Sequence, residues 1–451
     1  MSQIFYYSTN HHAPEVPLAD ALLAGQAPDR GLYMPRSIPV LAPAELEGLK
    51  HLSYAETAAH ILGKFTEGTF PPHLLLNLCQ DAYDYEVPLE PVHDKQYIMR
   101  LDRGPTASFK DFAARMMARM FGMLLQMEKR ELIILTATSG DTGSAIAHAF
   151  YQVPNIQVMV LFPPDEVSNR QRKQMTTLGG NITIVGVDGQ FDDCQALVKR
   201  AFADRELKKL PLTSANSINI GRLLPQAVYY VYACARLARR GEPVTFSVPS
   251  GNFGNMMGAL LAGRMGVPVE KLIIATNSND EVPRYMESGE YHKIVPSRAC
   301  ISNAMNVGHP SNFARVVDLY GGHMDETGKI HRQPDLNRMR KDLWAVSISE
   351  EETRQTIKAA WQDHRLLLEP HGAVGWAGLQ RYAASEKTKG LMISVETAHP
   401  AKFPEEIQAL LGFDPEVPAA LTGLEKKKEN WSRLPVDYDA FRNLLINTYA
   451  S

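Results

Sequence analysis

Short apolar runs alternate with longer helical patterns over most of this chain. From about residue 131 the runs are LIILTA (132 to 137), IQVMVLF (156 to 162), ITIVGV (182 to 187), VTFSV (244 to 248), LIIA (272 to 275) and LMISV (391 to 395). Runs without a polar alternate predict strands buried on both faces, and strands spaced by helices predict a mainly parallel sheet wrapped by helices, an α/β fold. Between them Leu224, Val228, Val231 and Ala235 recur at helical spacing, and Arg236, Arg239 and Arg240 before Gly241 predict a cationic last turn and a stop. Ser349 with Glu352 three residues on predicts a capped helix start.

Two regions break the alternation. Residues 1–95 hold Pro14, Pro17, Pro28, Pro35, Pro39 and Pro43 and then helical stretches, which predicts a separate N-terminal domain ahead of a region from 96 to 451. Residues 281–345 are irregular and fall between two strands, as an insertion capping a site or a structural excursion would.

Length and charge narrow the functions. At 451 residues the chain exceeds what one core usually fills, so a cleft between lobes is expected. With 47 basic and 50 acidic residues there is no field to favour nucleic acid or an anionic membrane, and small molecules are the expected ligands. Cys79, Cys194, Cys234 and Cys300 are far apart, which fits reduced thiols rather than a disulfide framework or a metal site. No leader pattern and no apolar stretch of about 18 residues is present, so a soluble cytoplasmic protein is expected.

Five segments carry candidate chemistry. In RLDRGPTASFKDFAARM (100 to 116) a Gly104-Pro105 turn puts Lys110 at or near a helix start, where burial and the positive helix end would lower its pKa as a Schiff-base lysine requires; a surface helix lysine is the plainer reading. LTATSGDTGSAIAHA (135 to 149) runs from strand to turn to helix, so Thr138, Ser139, Gly140 and Thr142 can cradle a carboxylate, whereas a helix cap would need only one of them. VTFSVPSGNFGNMMGALLAG (244 to 263) repeats that order, and its loop Gly251, Asn252, Phe253, Gly254, Asn255 suits a phosphate or a tight structural turn. In SANSINIGRLLPQ (214 to 226) Asn216 and Arg222 precede a helix, with Arg222 either gripping a second phosphate or standing on the surface. In SVETAHPAKF (394 to 403) the Thr397 hydroxyl can meet a ring nitrogen or bond its own backbone.

Together these segments resemble the threonine synthases, pyridoxal-phosphate enzymes of fold type II, the tryptophan-synthase-β class. GPTASFKDFA looks like the family's cofactor-lysine motif, TATSGDTGSA its substrate loop and SVPSGNFGN its cofactor-phosphate loop, in family order. The resemblance extends through residues 8 to 35, SNAMNVGHPSNFARV (302 to 316), EPHGAVG (369 to 375) and ETAHPAKF (396 to 403), and does not include the regulatory extension of the plant enzymes. It implies two cofactor-binding lobes with mainly parallel sheets flanked by helices. It also implies conversion of O-phospho-L-homoserine and water to L-threonine and phosphate.

By the same resemblance Lys110 holds the cofactor and moves protons, and Gly251 to Asn255 bind its phosphate. Thr397 meets its ring nitrogen, and Asn216, Arg222 and the 138 to 142 turn bind the substrate. One branch of the family has Asn beside the cofactor's phenolic oxygen, where this chain has Asp141; a carboxylate would repel a phenolate unless protonated. Phe253 and the 281 to 345 insertion are candidates to close over the substrate, and the protein is expected as a monomer or homodimer. Rival readings are a phospholyase or a serine/threonine dehydratase, both giving a 2-oxo acid and ammonia, and a non-catalytic relative.

Overall fold

The computed structural model describes residues 3–450 apart from 139, 387 and 389. Two sheets form two lobes. The larger runs, edge to edge, Leu343–Ser347, Val269–Thr276, Val244–Pro249, Leu391–Glu396, Gln96–Arg100 and Leu89–His93, all parallel except for the last strand. The smaller is parallel throughout and runs Ser432–Leu434, Ile182–Val187, Ile156–Phe162, Leu132–Ala137 and Leu212–Thr213. The apolar runs read from the sequence are therefore the central strands of two sheets, and in Leu132–Ala137 and Val244–Pro249 every residue is buried.

The helix expected around Leu224 to Ala235 spans Ile220–Leu237 and is capped by Asn219, whose side chain accepts from the Gly221 amide at 2.8 Å. Its predicted end needs correction. The backbone turns extended at Ala238, and the Arg239 amide donates to the Glu242 side chain at 3.1 Å, so Arg236 alone of the three arginines lies in the last turn. The helix Glu350–His364 starts at Ser349, whose hydroxyl accepts from the Glu352 amide at 3.2 Å. The Glu352 carboxylate turns away to Arg381, which leaves the reciprocal half of a capping box unmade.

The N-terminal segment builds a three-stranded antiparallel sheet with Phe5–Ser8 between Val16–Pro17 and Tyr33–Pro35, then the helices Tyr54–Thr66 and Pro72–Ala82. Tyr54 packs edge-on against Phe112 at 5.2 Å and Tyr232 at 5.3 Å, so this segment shares its apolar core with the larger lobe. The boundary expected near 95 falls in the hairpin that joins Leu89–His93 to Gln96–Arg100. The 281–345 region connects two neighbouring strands of the larger sheet through three short helices and a small hairpin. Among the described residues no helix is long and apolar enough to cross a membrane.

Candidate active site

Lys110 is the first residue of the helix Lys110–Glu128. The turn before it is braced from within: the Asp111 carboxylate accepts from the Thr106 amide at 2.8 Å and the Thr106 hydroxyl at 2.6 Å. Gly104 lies so close that a Cβ there would meet Asp111 Oδ2 at 2.4 Å, which only glycine allows. The Phe109 amide donates to the Thr397 carbonyl at 2.8 Å, tying the lysine loop to the end of the strand Leu391–Glu396 and bringing Thr397 into the same cavity. Burial, helped by the cations Lys402 and Arg222, pulls the Lys110 pKa down to about 8 against the opposing pull of Asp141 and Glu369.

The turn after Leu132–Ala137 is closed by Thr138, whose hydroxyl accepts from the amides of Gly140 (3.0 Å) and Gly143 (2.7 Å). Thr138, Asp141 and Thr142 line the cavity, while Gly140, at φ 124°, faces the Gln171 side chain. Ser139 lies outside the described residues. Asp141 is not left to repel its surroundings: its carboxylate takes Lys402 Nζ at 2.6 Å and Gln171 Nε2 at 3.0 Å. Burial alone would raise its pKa, but Lys402, Lys110 and His371 outweigh that and hold the carboxyl below its usual range.

The second turn follows Val244–Pro249 and opens the helix Gly254–Arg264. Phe253, before the first helical residue, is held left-handed at φ 62°, a conformation uncommon outside glycine that curls successive amides toward one point. Its ring is buried and packs edge-on against Phe313 at 5.6 Å. Tyr229 and Tyr230 both donate to Asn255 Oδ1 at 2.6 Å, which fixes the amide and leaves its Nδ2 buried without a partner among the described residues. The Asn252 side chain is spent on Ser217 and on the Ser311 amide, and Gly251 lies against Met305, whose Cα a Cβ would approach to 2.9 Å. Gly251 to Asn255 all face the cavity.

Asn216 and Arg222 complete it. The Asn216 side-chain Oδ1 accepts from the Thr136 hydroxyl; Arg222 donates to the Ala215 carbonyl at 2.9 Å and keeps a buried Nε without a partner among the described residues. Burial lowers the Arg222 pKa to about 10. Sequence reading missed the residues that hold these in place. Arg315, fully buried on the insertion, donates to the carbonyls of Ser217 and Ile218, to Asn312 and to the Tyr33 carbonyl of the N-terminal sheet. The Ala304 amide donates to His371 Nε2 at 3.0 Å, and the other ring nitrogen, Nδ1, meets the Glu369 carboxylate at 2.5 Å. Both His371 and Glu369 belong to EPHGAVG, a motif whose residues had been given no role.

Comparison with known proteins agrees with this geometry. The family model for pyridoxal-phosphate dependent enzymes matches residues 87–395, that for the threonine synthase N terminus residues 5–83, and that for the threonine synthase C-terminal part residues 372–445. The chain is 38% identical to threonine synthase of Escherichia coli over 98% of its own length and 99% of the relative's. It belongs to the threonine synthase family. The pyridoxal-phosphate-bound threonine synthase of Brucella melitensis superposes with a TM-score of 0.92 at 34% identity, covering 99% of this chain and 100% of that one. Yeast threonine synthase gives a TM-score of 0.88 at 30% identity, covering 98% of each chain. A tomato threonine deaminase, 18% identical with a TM-score of 0.54 over 75% of this chain and 88% of that one, shares the fold alone. A threonine synthase uses pyridoxal phosphate, and the site fits it: Asn255 Nδ2 is a buried donor awaiting an acceptor, beside a left-handed turn at a helix N-terminus, where a phosphate is stabilised.

Proposed function

We propose that this protein converts O-phospho-L-homoserine and water to L-threonine and phosphate, with pyridoxal phosphate held on Lys110. The observation that carries the reading is likeness over the whole chain, since the N-terminal and C-terminal threonine synthase models match on either side of the general cofactor-enzyme region. When bound, the cofactor stores the electron pair released at Cα, which permits phosphate to leave the γ-carbon before water adds at Cβ. Lys110, with a pKa near 8, can give up and take a proton near neutral pH and serves as the base at Cα and then at Cβ.

Asn255 Nδ2 and the first amides of its helix would hold the cofactor's phosphate, and the lack of a Cβ at Gly251 lets this turn pack against Ala304 and Met305. Thr397 offers the ring nitrogen a hydroxyl and no negative charge, which keeps that nitrogen mostly neutral. Arg222 and Asn216 take the substrate's phosphate, and the turn from Thr138 to Thr142 takes its carboxylate. Four free cysteines support a cytoplasmic location, and we read the assembly as a monomer or homodimer.

Incubation with O-phosphohomoserine, with threonine assayed against 2-oxobutyrate, tests the reading. Threonine and phosphate in equal amounts are expected. Release of 2-oxobutyrate and ammonia would make the protein a phospholyase or dehydratase instead.

A further inference from the structure

Lys402, in the 3-10 turn Pro400–Lys402 beyond the strand that ends at Glu396, has no exposed surface. A buried ammonium is costly unless paired and hydrogen-bonded. Here it donates to Asp141 Oδ1 at 2.6 Å and to the Thr106 carbonyl at 2.9 Å, and so bridges the substrate turn to the lysine loop. Gln174 donates to the same carbonyl at 3.0 Å and Gln171 to the same carboxylate at 3.0 Å, which adds two neutral donors to the network. We infer that Lys402 is a positioning residue of the catalytic site: its charge balances Asp141, so that this carboxylate can stand beside the cofactor oxygen and Lys110 without claiming the Lys110 proton.

The inference rests on Lys110 being the cofactor lysine. The charges that bear on Lys110 come from Asp141, Lys402, Arg222 and Glu369; those on Asp141 come from Lys402, Lys110 and His371, and Lys402 also acts on Asp111. Removing the Lys402 cation leaves the Asp141 anion uncompensated next to Lys110. An uncompensated anion favours the protonated amine, so the pH at which that amine becomes free moves up, by about one unit or more.

The test is the rate at which the full-length apoprotein captures pyridoxal phosphate, followed by the rise of visible absorbance across a pH series. Wild type should show a midpoint near 8. Lys402→Met should move it upward and slow capture about tenfold at pH below the midpoint. Lys402→Arg should stay near wild type, and the double variant Lys402→Met with Asp141→Asn should return toward it. If Lys402→Met does not fold but the double variant does, the uncompensated charge is again the cause. An unchanged midpoint in Lys402→Met, or failure of both single and double variants to fold, overturns the role given to Lys402. A wild-type protein that captures no cofactor at any pH overturns the reading of Lys110 instead.

Discussion

The turn after Leu132–Ala137 and the turn after Val244–Pro249 both leave the carboxyl end of a parallel strand and both open a helix, yet they are stabilised in opposite ways. The first carries an acid, Asp141, inside an ion pair with a buried lysine. The second carries no charged residue from Gly251 to Asn255; it relies on a left-handed Phe253 and on an Asn255 amide pinned by two tyrosines. A turn that keeps a doubly charged phosphate through every cycle gains from fixed neutral donors that need no counterion. A turn that must accept and release a substrate and sit beside a proton-transfer group gains from a charge that is present but balanced. On the proposed assignment of the two turns, the same backbone device would serve permanent binding in one place and turnover in the other.

That contrast can be broken in graded ways. The largest effect is expected at the group both turns face. Lys110→Ala should abolish the visible absorbance of the loaded protein and lower turnover by about 10³-fold or more, and a coloured, active variant would remove the central assignment. Next, Asn255→Ala withdraws the acceptor from Tyr229 and Tyr230 together with the free donor. At about 1 to 3 kcal/mol for buried polar groups left unpaired, cofactor affinity should fall roughly 10- to 100-fold in an equilibrium titration. Unchanged affinity would show that this turn does not hold the phosphate.

Arg222→Ala should act on the other side of the comparison, raising KM for O-phosphohomoserine roughly tenfold or more while cofactor affinity stays put; equal loss of both would move Arg222 out of the substrate site. The smallest perturbation is pH. Because burial holds the Lys110 pKa below that of a free lysine, the free amine is lost as pH falls through about 8, and cofactor capture by the apoprotein should slow there. A midpoint near that of an exposed lysine, about 10.4, would mean the amine is not in the environment described.

The sequence made part of this legible and hid the rest for physical reasons. Strands such as Ile156–Phe162 and Leu391–Glu396 announce themselves because both faces are buried and their residues are apolar almost throughout. Leu89–His93 and Leu343–Ser347 lie at sheet edges and are mostly only partly buried; the first mixes polar with apolar residues and the second follows directly on the helix Leu336–Asp342, so neither stood out. Likewise, candidates placed by their own turn were readable as neighbours: Lys110, Thr138, the Gly251 to Asn255 loop and Thr397 all face one cavity. Partners brought together across the fold were not. Lys402 meets Asp141, and Arg315 meets Tyr33, over separations in the chain that local pattern does not encode. Asp141 shows the cost, since a buried carboxylate looks unfavourable from local sequence until its distant cation, Lys402, is in place.

Arg315 carries a last consequence. One guanidinium ties the first β-sheet, the loop holding Asn216 and the inserted helix into a single knot, so the residues around Tyr33 are a strut for the cavity that Asn216 lines rather than an appendage. Whatever loosens the strand around Tyr33 should be felt first as poorer grip on phosphohomoserine, well before the lobes themselves come apart.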